Sequence, residues 1–317
     1  MIFAKKQNKY SAPKESLRVR IKKEMSMNYE LYWMFIPVAI YFLLFAYKPM
    51  YGLLMAFQDY SPRLGISGSE WVGFGHFKDF FKSFYFGRLM KNTVTISVST
   101  ILFGFPMPII LALLMNEVKH SGYKRAVQTL TYLPHFISMV VICSIIKKFT
   151  DADGFVNDII AFFGGERSYL LNNPKCFVPI YVISNIWTTI GWNSIVYMAA
   201  LSGVSQELYE AASIEGAGRF KQTLHVTLPC IAPTIVTMLI LRMGHALTVG
   251  YEKIILLYNP TTMKTADVLL SYVYRKGLLE KDWSFSAAVG IFNSVVNLAL
   301  LIVTNKISKK LSDTALW

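Results

Sequence analysis

Six long apolar segments constrain this chain more than any other feature of its sequence. Each approaches the roughly 20 residues that an α-helix needs to cross the hydrocarbon core of a bilayer. Because helices satisfy their own backbone hydrogen bonds, the segments predict membrane-spanning helices. The predicted spans cover about 31–57, 93–115, 126–147, 178–201, 230–249 and 285–304.

The composition supports a membrane protein. Of 317 residues, 54% are hydrophobic and 16% charged, with a mean hydropathy of +0.40, whereas a soluble domain has about 25% charged residues. The net charge of +13 does not indicate nucleic acid, because no soluble module carries a basic face interleaved with aromatic residues. The three cysteines, Cys143, Cys176 and Cys230, show no metal-ligand spacing, so no metal is predicted.

The ends of the chain predict its orientation. Residues 1–30 are polar and basic, which is typical of a cytosolic tail attracted to anionic headgroups. No small-residue cleavage site follows them, so we predict an uncleaved first span. Since the tail and the short loops dominate topology, both termini and the loop 202–229 are predicted to be cytosolic. The expected domains are the tail 1–30, a transmembrane domain 31–305 and a C-terminal tail 306–317.

The polar loop from Ser205 to Pro229 predicts a helix–turn–helix at a membrane face. Ser205 can cap a helix whose first turn is polar and acidic. Gly216 and Gly218 then break that helix, because glycine turns freely. A second short helix is expected before Pro229 begins the next span.

The spacing within this loop resembles the EAA loop of ABC importer permeases. That family has isoleucine more often than valine at the position of Val226. The matching residues, within a coupling loop of about 203–229, are Glu210, Ala211, Ala212, Gly216, Val226, Leu228 and Pro229.

Further stretches extend the resemblance over nearly the whole chain. They are similar to maltose-type carbohydrate permeases, above all the branch for polysaccharide, aldouronate or alginate-type oligosaccharides. The resemblance implies an all-α integral membrane protein of the bacterial plasma (inner) membrane, with six transmembrane helices and a type I ABC importer fold. The stretches are Tyr47-x-Pro49-x-Tyr51-Gly52, Leu133–Ser138, Ser184-x-Ile186-Trp187, Gly191-Trp192, Tyr258-Asn259-Pro260 and Thr304-Asn305-Lys306.

The resemblance also implies partners: a second, homologous permease subunit, two copies of an ABC ATPase, an extracytoplasmic solute-binding protein, and an oligosaccharide substrate. The chain contains no G-x-x-x-x-G-K-[ST] motif, so ATP is expected to be used by partner subunits and no cofactor is predicted. We expect a non-catalytic subunit. By analogy, Glu210 pairs with a basic ATPase residue, Ala211 and Ala212 permit close packing, and Gly216 sets the elbow.

Polar and aromatic side chains within or beside the spans are candidates for a substrate path. Such groups are costly in hydrocarbon, and interhelical hydrogen bonding is the favoured interpretation of any single one. As a set they suit a sugar, whose rings stack on aromatic groups and whose hydroxyls bond amides. Pro106, Pro108 and Pro134 predict kinked or interrupted helices. The candidates are His135, Asn185, Trp187, Trp192, Asn193, Arg242, His245 and Asn293.

Three alternatives were weighed against the importer. An ion-gradient-coupled secondary transporter is expected to carry an acidic residue in mid-span, and none of the predicted spans has one. A membrane enzyme lacks a nucleophile or metal motif here. The polar spans and the family-wide match disfavour a structural or sensory subunit, and loss of transport with retained assembly would be needed to exclude it.

Overall fold

The computed structural model describes residues 23–312 and 315–316. Most of the predicted N-terminal tail, and residues 313, 314 and 317 of the predicted C-terminal tail, therefore lie outside the described residues. The chain divides into two units, one ending at Leu54 and one beginning at Met55.

The first unit contains helix α1 (Tyr29–Phe42), where the first span was predicted. The helix continues through a π-helical turn (Leu43–Tyr47), one α-turn (Lys48–Met50) and a 3-10 segment (Tyr51–Phe57) that enters the second unit. No residue of α1 is buried in the described part of the chain. Its apolar side chains are therefore available to lipid or to another protein.

The second unit is almost entirely helical. Its two short strands, β1 (Gln58–Asp59) and β2 (Glu70–Trp71), pair antiparallel, with Gln58 opposite Trp71. The helices are α2 (Gly65–Gly68), α3 (Gly75–Lys82), α4 (Phe86–Ser99), α5 (Pro106–Glu117), α6 (Ser121–Tyr132), α7 (Met139–Thr150), α8 (Phe155–Phe162), α9 (Pro174–Ser202), α10 (Gln206–Ile214), α11 (Arg219–Gln222), α12 (Leu228–Met243), α13 (Tyr251–Leu257), α14 (Met263–Ala266), α15 (Leu269–Tyr274) and α16 (Trp283–Ser312).

Four helical stretches of the described chain are long and apolar enough to cross a bilayer, and a bent pair makes a fifth. The segment predicted at 178–201 folds as α9, which has 29 residues and is about 43 Å long. Its amides and hydroxyls make it less apolar than the others. The four stretches are Tyr29–Phe57, Phe86–Glu117, Arg219–Met243 and Trp283–Lys310, and the pair is Ser121–Phe136 with Met139–Phe162.

The span predicted over about 126–147 is interrupted. The chain bends by 106° between Phe136 and Met139, where a 3-10 turn (Leu133–Phe136) ends and the Ser138 hydroxyl caps α7 by accepting from the N–H of Val141. The interruption predicted from Pro134 is thereby confirmed. At Pro106 the helix only widens, through a π-helical turn (Thr100–Gly104) between α4 and α5.

The fifth helix ends a few residues before the end of its predicted segment, about 230–249. Helix α12 stops at Met243, and the chain then forms a turn before α13 begins at Tyr251. The side chain of Asn297 on α16 holds this turn, because its Oδ1 accepts from the N–H of Leu247 at 2.9 Å and its Nδ2 donates to the Thr248 hydroxyl at 3.1 Å. This is the interhelical hydrogen bonding that the sequence favours for a single polar residue in a span.

Helix α9 is central to the second unit and packs against α5, α6, α12 and α14. At Gly191 a Cβ atom would lie 2.2 Å from the carbonyl oxygen of Thr131 on α6, so glycine is required for this close approach. Three apolar clusters form the core: around Phe177 and Ile254, around Phe80 and Leu269, and around Tyr197 and Ile231.

A buried carboxylate, Asp267, fixes the segment between α14 and α15. It pairs with Arg275 at 2.7 Å, lies 3.9 Å from Arg88 and accepts from the Ser271 hydroxyl at 2.8 Å. Burial alone would lower the pKa of Arg275, but the hydrogen bonds and charge of Asp267 raise it above its ordinary value. The Asn92 amide of α4 also donates to the Asp267 carbonyl at 2.9 Å, which ties this segment to the helical bundle.

Candidate functional site

The loop after α9 forms the elbow that its sequence predicted. The Ser205 hydroxyl accepts from the N–H of Glu207 at 3.3 Å and caps α10. The helix ends where Gly216 adopts φ +78°, a left-handed conformation that costs other residues roughly 1–2 kcal/mol. The N–H of Ala217 then bonds the carbonyl of Ala212 at 2.9 Å, which closes the end of the helix.

The second half of the elbow differs from its prediction. The expected separate short helix is α11, which continues through a π-helical turn (Thr223–Thr227) directly into α12. Val226 and Leu228 are half-buried on this continuous stretch, and Pro229 occupies the first turn of α12, where it is exposed. The loop therefore runs into an apolar span without a break in the helix.

Side-chain hydrogen bonds that the sequence did not reveal hold the elbow in shape. Gln222 Nε2 donates to the Ser213 hydroxyl and to the Ala217 carbonyl, each at 2.9 Å. The hydroxyls of Tyr209 and Thr227 bond at 3.0 Å. No sequence signal marks these pairs, because they form only once α10 folds back on α11.

The outer surface of the elbow combines acidic, small and apolar groups. Glu210 and Ala211 are exposed and Ala212 is half-buried. Ile214 is 88% exposed and Phe220 is 81% exposed. Exposed large apolar groups rimmed by polar ones mark an interaction surface.

A cavity of about 570 Å³ lies among the helices of the second unit. Its walls come from the π-helical turn after α4, from α5, α7, α9, α12, the turn after Met243, α13 and α15. Hydroxyls, amides, aromatic rings and charges line it beside apolar groups. The polar lining residues are Ser97, Thr100, Tyr181, Asn185, Thr189, Asn193, Tyr197, Arg242, Thr248, Tyr251, Glu252 and Lys253.

Three of the predicted path residues, Asn185, Asn193 and Arg242, line this cavity. The cavity is also lined by Tyr181, Thr189 and Tyr197, which were not predicted. A signal for them exists in the sequence, because positions at every fourth residue share one side of a helix. Five such positions of α9 line the cavity: Tyr181, Asn185, Thr189, Asn193 and Tyr197.

The other predicted path residues lie outside the cavity lining. His135 stacks on Trp192 with ring centroids 4.6 Å apart, beside the bend that follows α6. Trp187 is 40% exposed elsewhere on α9. His245, which falls within the predicted fifth span, lies in the turn beyond the end of α12. Asn293 is buried in α16, and its Oδ1 has no hydrogen-bond partner among the described residues.

A cavity with both polar and apolar lining groups among apolar helices, with a helical elbow beside them, is typical of a membrane permease. The family model for the binding-protein-dependent transport system inner membrane component matches residues 104–313. The chain belongs to that family. It is a permease subunit of an ABC importer in the inner membrane, which confirms the predicted function class and the prediction of a non-catalytic subunit.

Individual relatives cover nearly the whole chain. The polygalacturonan/rhamnogalacturonan transport system permease protein YteP of Bacillus subtilis (strain 168) is 43% identical over 96% of this chain and 95% of its own length. Protein LplB of the same organism is 46% identical over 90% of this chain and 91% of its own length.

Chains of two solved ABC transporter structures are also similar to this chain. A chain of a bacterial ABC transporter involved in the import of the acidic polysaccharide alginate matches with a TM-score of 0.84 and 46% identity, over 92% of this chain and 99% of that one. A chain of a bacterial alginate ABC transporter, in complex with periplasmic protein bound to an alginate pentasaccharide, matches with a TM-score of 0.85 and 46% identity, over 94% of this chain and 100% of that one.

Proposed function

We propose that this chain translocates an oligosaccharide that an extracytoplasmic binding protein delivers. The observation that carries the proposal is the cavity of about 570 Å³, which mixes amides, hydroxyls and aromatic rings within apolar helices. A volume in this range suits a ligand of a few sugar rings. The relatives named for polygalacturonan and alginate transport support the same class of substrate.

The proposed topology has six spans, with both termini and the elbow on the cytosolic side. Helix α9 and the bent pair of α6 and α7 supply the two spans beyond the four continuous ones. Neighbouring protein and the polar cavity compensate the polar groups of α9, so its lower hydropathy is compatible with crossing the bilayer. A second, homologous permease would complete the path.

The elbow is the proposed docking site for the ATPase subunits. Glu210 presents a negative charge, Ala211 and Ala212 leave room for close packing, and Gly216 sets the angle. Because α11 runs into α12 without a break, closure of two ATPase subunits would move α12 as a lever. Movement of packed helices between two arrangements is how such a bundle changes the side to which its cavity opens.

Uptake into proteoliposomes tests the proposal. The reconstituted complex should accumulate a labelled oligosaccharide only with ATP and the binding protein, and an ionophore should not stop it. Asn193→Leu fills part of the cavity and removes an amide that would bond the hydroxyls of the sugar. It should lower uptake at least about tenfold, because those hydroxyls then lack a partner. Val196→Leu, at an exposed position of the same helix, is the matched control. Uptake that needs an ion gradient instead of ATP would favour a secondary transporter.

A further inference from the structure

A second, smaller cavity, here called the outer pocket, lies at the end of the helical unit opposite to the elbow. Its volume is about 290 Å³, roughly half that of the cavity described above, which leaves room for about one or two sugar rings. The loop before α9 forms one side of it, and α9 then runs for 29 residues, about 43 Å, towards the elbow. With the elbow on the cytosolic side, as proposed, the outer pocket faces the side from which the substrate arrives.

The lining of the outer pocket combines apolar, aromatic and polar groups. Leu257 of α13 lines it and is buried, whereas Tyr169 and Tyr258 contribute rings. Lys147 and Asn172 line it at exposed positions. A sugar ring has a matching division, with a face of C–H groups and an edge of hydroxyls that both donate and accept hydrogen bonds. Sites for small ligands have this character, because apolar and aromatic groups supply contact and a few polar groups fix the orientation.

Asn259 fixes the shape of the outer pocket. Its Nδ2 donates to the Leu171 carbonyl at 3.0 Å and to Asn172 Oδ1 at 2.8 Å. Its Oδ1 accepts from the N–H groups of Thr261 and Thr262, each at 3.0 Å. Both donors of this amide are therefore used, and they hold the loop before α9 against the loop after α13.

Two polar groups on the rim of the outer pocket are available to a ligand. The Tyr169 side chain is 61% exposed, and its hydroxyl makes no hydrogen bond with another described residue. The Lys147 ammonium is also exposed, and it makes neither a hydrogen bond nor an ion pair within the described chain. Because Asn259 has already ordered the loops around these groups, a ligand binds without the entropic cost of ordering them.

The outer pocket and the larger cavity lie along the same two helices. Helix α13 lines the cavity at Lys253 and the outer pocket at Leu257, about 6 Å further along its axis. Helix α7 lines the cavity at Met139 and the outer pocket at Lys147, about 12 Å further along. Between the two sites α7 and α13 pack against each other through an apolar cluster that includes Ile254. The two helices must therefore separate before one sugar chain occupies both sites.

We propose that the outer pocket binds a sugar unit of the incoming oligosaccharide, with the ring against Tyr169 and its hydroxyls on the polar rim. The rest of the sugar chain enters the larger cavity when α7 and α13 separate. A chain too short to reach both sites gains nothing from the outer pocket, so the pocket favours transport of longer chains. The inference rests on the proposed function and adds to it a second binding site and a preference for chain length.

Two probes made of the same sugar but of different length test the proposal. Digalacturonate and hexagalacturonate are used, since one relative of this chain is named for polygalacturonan transport. Uptake of each by the reconstituted complex is measured at concentrations that saturate the binding protein, whose affinity for both probes is determined separately. The affinity of the unloaded binding protein for the permease pair is measured as well.

Tyr169→Ala removes a ring and a hydroxyl at an exposed position of a loop. We expect it to lower uptake of hexagalacturonate about three- to tenfold, the size of a lost hydrogen bond, and to change uptake of digalacturonate by less than about twofold. Tyr169→Phe keeps the ring and should restore part of the uptake. Phe163→Ala is the matched control, because Phe163 is an exposed aromatic residue between the same two helices that does not line the outer pocket. It should leave uptake of both probes unchanged.

Equal losses on the long and the short probe would overturn the proposal, as would no loss on either. Weaker docking of the unloaded binding protein to the Tyr169→Ala variant would show that the outer pocket contacts that protein, and it would overturn the proposal too. Wild-type uptake of digalacturonate but not of hexagalacturonate would overturn this inference alone. ATP-dependent uptake of neither probe would overturn the proposed function as well.

Discussion

The left-handed glycine of the elbow gives the sharpest prediction. Gly216 has φ +78°, and a Cβ atom added there would meet nothing within 4 Å. Serine at this position therefore causes no clash but carries the backbone penalty of roughly 1–2 kcal/mol for a residue other than glycine. If the free elbow relaxes to avoid that penalty, docking of the ATPase must restore the left-handed conformation at position 216, and the penalty then weakens binding.

The penalty converts to an affinity change. At 1.4 kcal/mol for each factor of ten, Gly216→Ser should weaken binding of the ATPase about 5- to 30-fold. Gly216→Asn should weaken it less, because asparagine tolerates the left-handed region. Gly218 provides the matched control: its φ is −67° and it caps α11, with nothing within 4 Å of an added Cβ. Serine is a favoured residue at such a cap, so Gly218→Ser should leave binding unchanged.

The assay is titration of the ATPase onto the permease pair in lipid nanodiscs, with the dissociation constant as the readout. Equal weakening by Gly216→Ser and Gly218→Ser would refute the reasoning, because the two positions differ in backbone conformation and not in space. Unchanged binding for Gly216→Ser would refute it as well, since docking would then not depend on the shape of the elbow.

Three other predictions follow from charge and packing. Glu210→Lys should abolish substrate-stimulated ATP hydrolysis while the purified complex keeps its composition, and retained stimulation would remove Glu210 from the coupling surface. Asp267→Ala should destabilise the chain by about 1–3 kcal/mol, because it leaves the guanidiniums of Arg275 and Arg88, which are 20% and 31% exposed, without their buried carboxylate. Glu280→Ala, in a more exposed pair, should cost less than about 1 kcal/mol. Thermal unfolding in detergent measures both. Gly191→Ala should lower the free energy of unfolding by about 1–3 kcal/mol or more, because its Cβ would overlap a backbone carbonyl of α6. Gly290→Ala in α16, whose added Cβ meets nothing within 4 Å, should be neutral or stabilising by up to about 1 kcal/mol. Equal unfolding temperatures for these two variants would contradict the packing described.

Local rules explain why much of the elbow was predictable. A capping hydroxyl at Ser205 and a glycine at 216 act over a few neighbouring residues, so the start and the end of α10 follow from the sequence around them. The bonds from Gln222 and between Tyr209 and Thr227 depend on how two helices fold against each other. Composition and spacing contain no information on that contact.

The spans and the cavity were predictable to different degrees. Hydropathy located the apolar segments and Pro134 predicted the interruption, but the size of the bend, 106° after Phe136, depends on tertiary packing that the sequence pattern does not report. Asn185 and Asn193 stood out because amides are costly in hydrocarbon. Lys253 did not, because it lies in a short helix outside every predicted span, where a lysine is ordinarily solvated. Its burial comes from packing of α13 against α7.

The most direct test of the central claim is ATP hydrolysis in a reconstituted complex of this chain, its permease partner, the ATPase and the binding protein. We expect sugar-loaded binding protein to stimulate hydrolysis, and omission of this chain to abolish the stimulation. Failure of this chain to assemble with an ATPase, or hydrolysis that is equally fast with and without loaded binding protein, would contradict it.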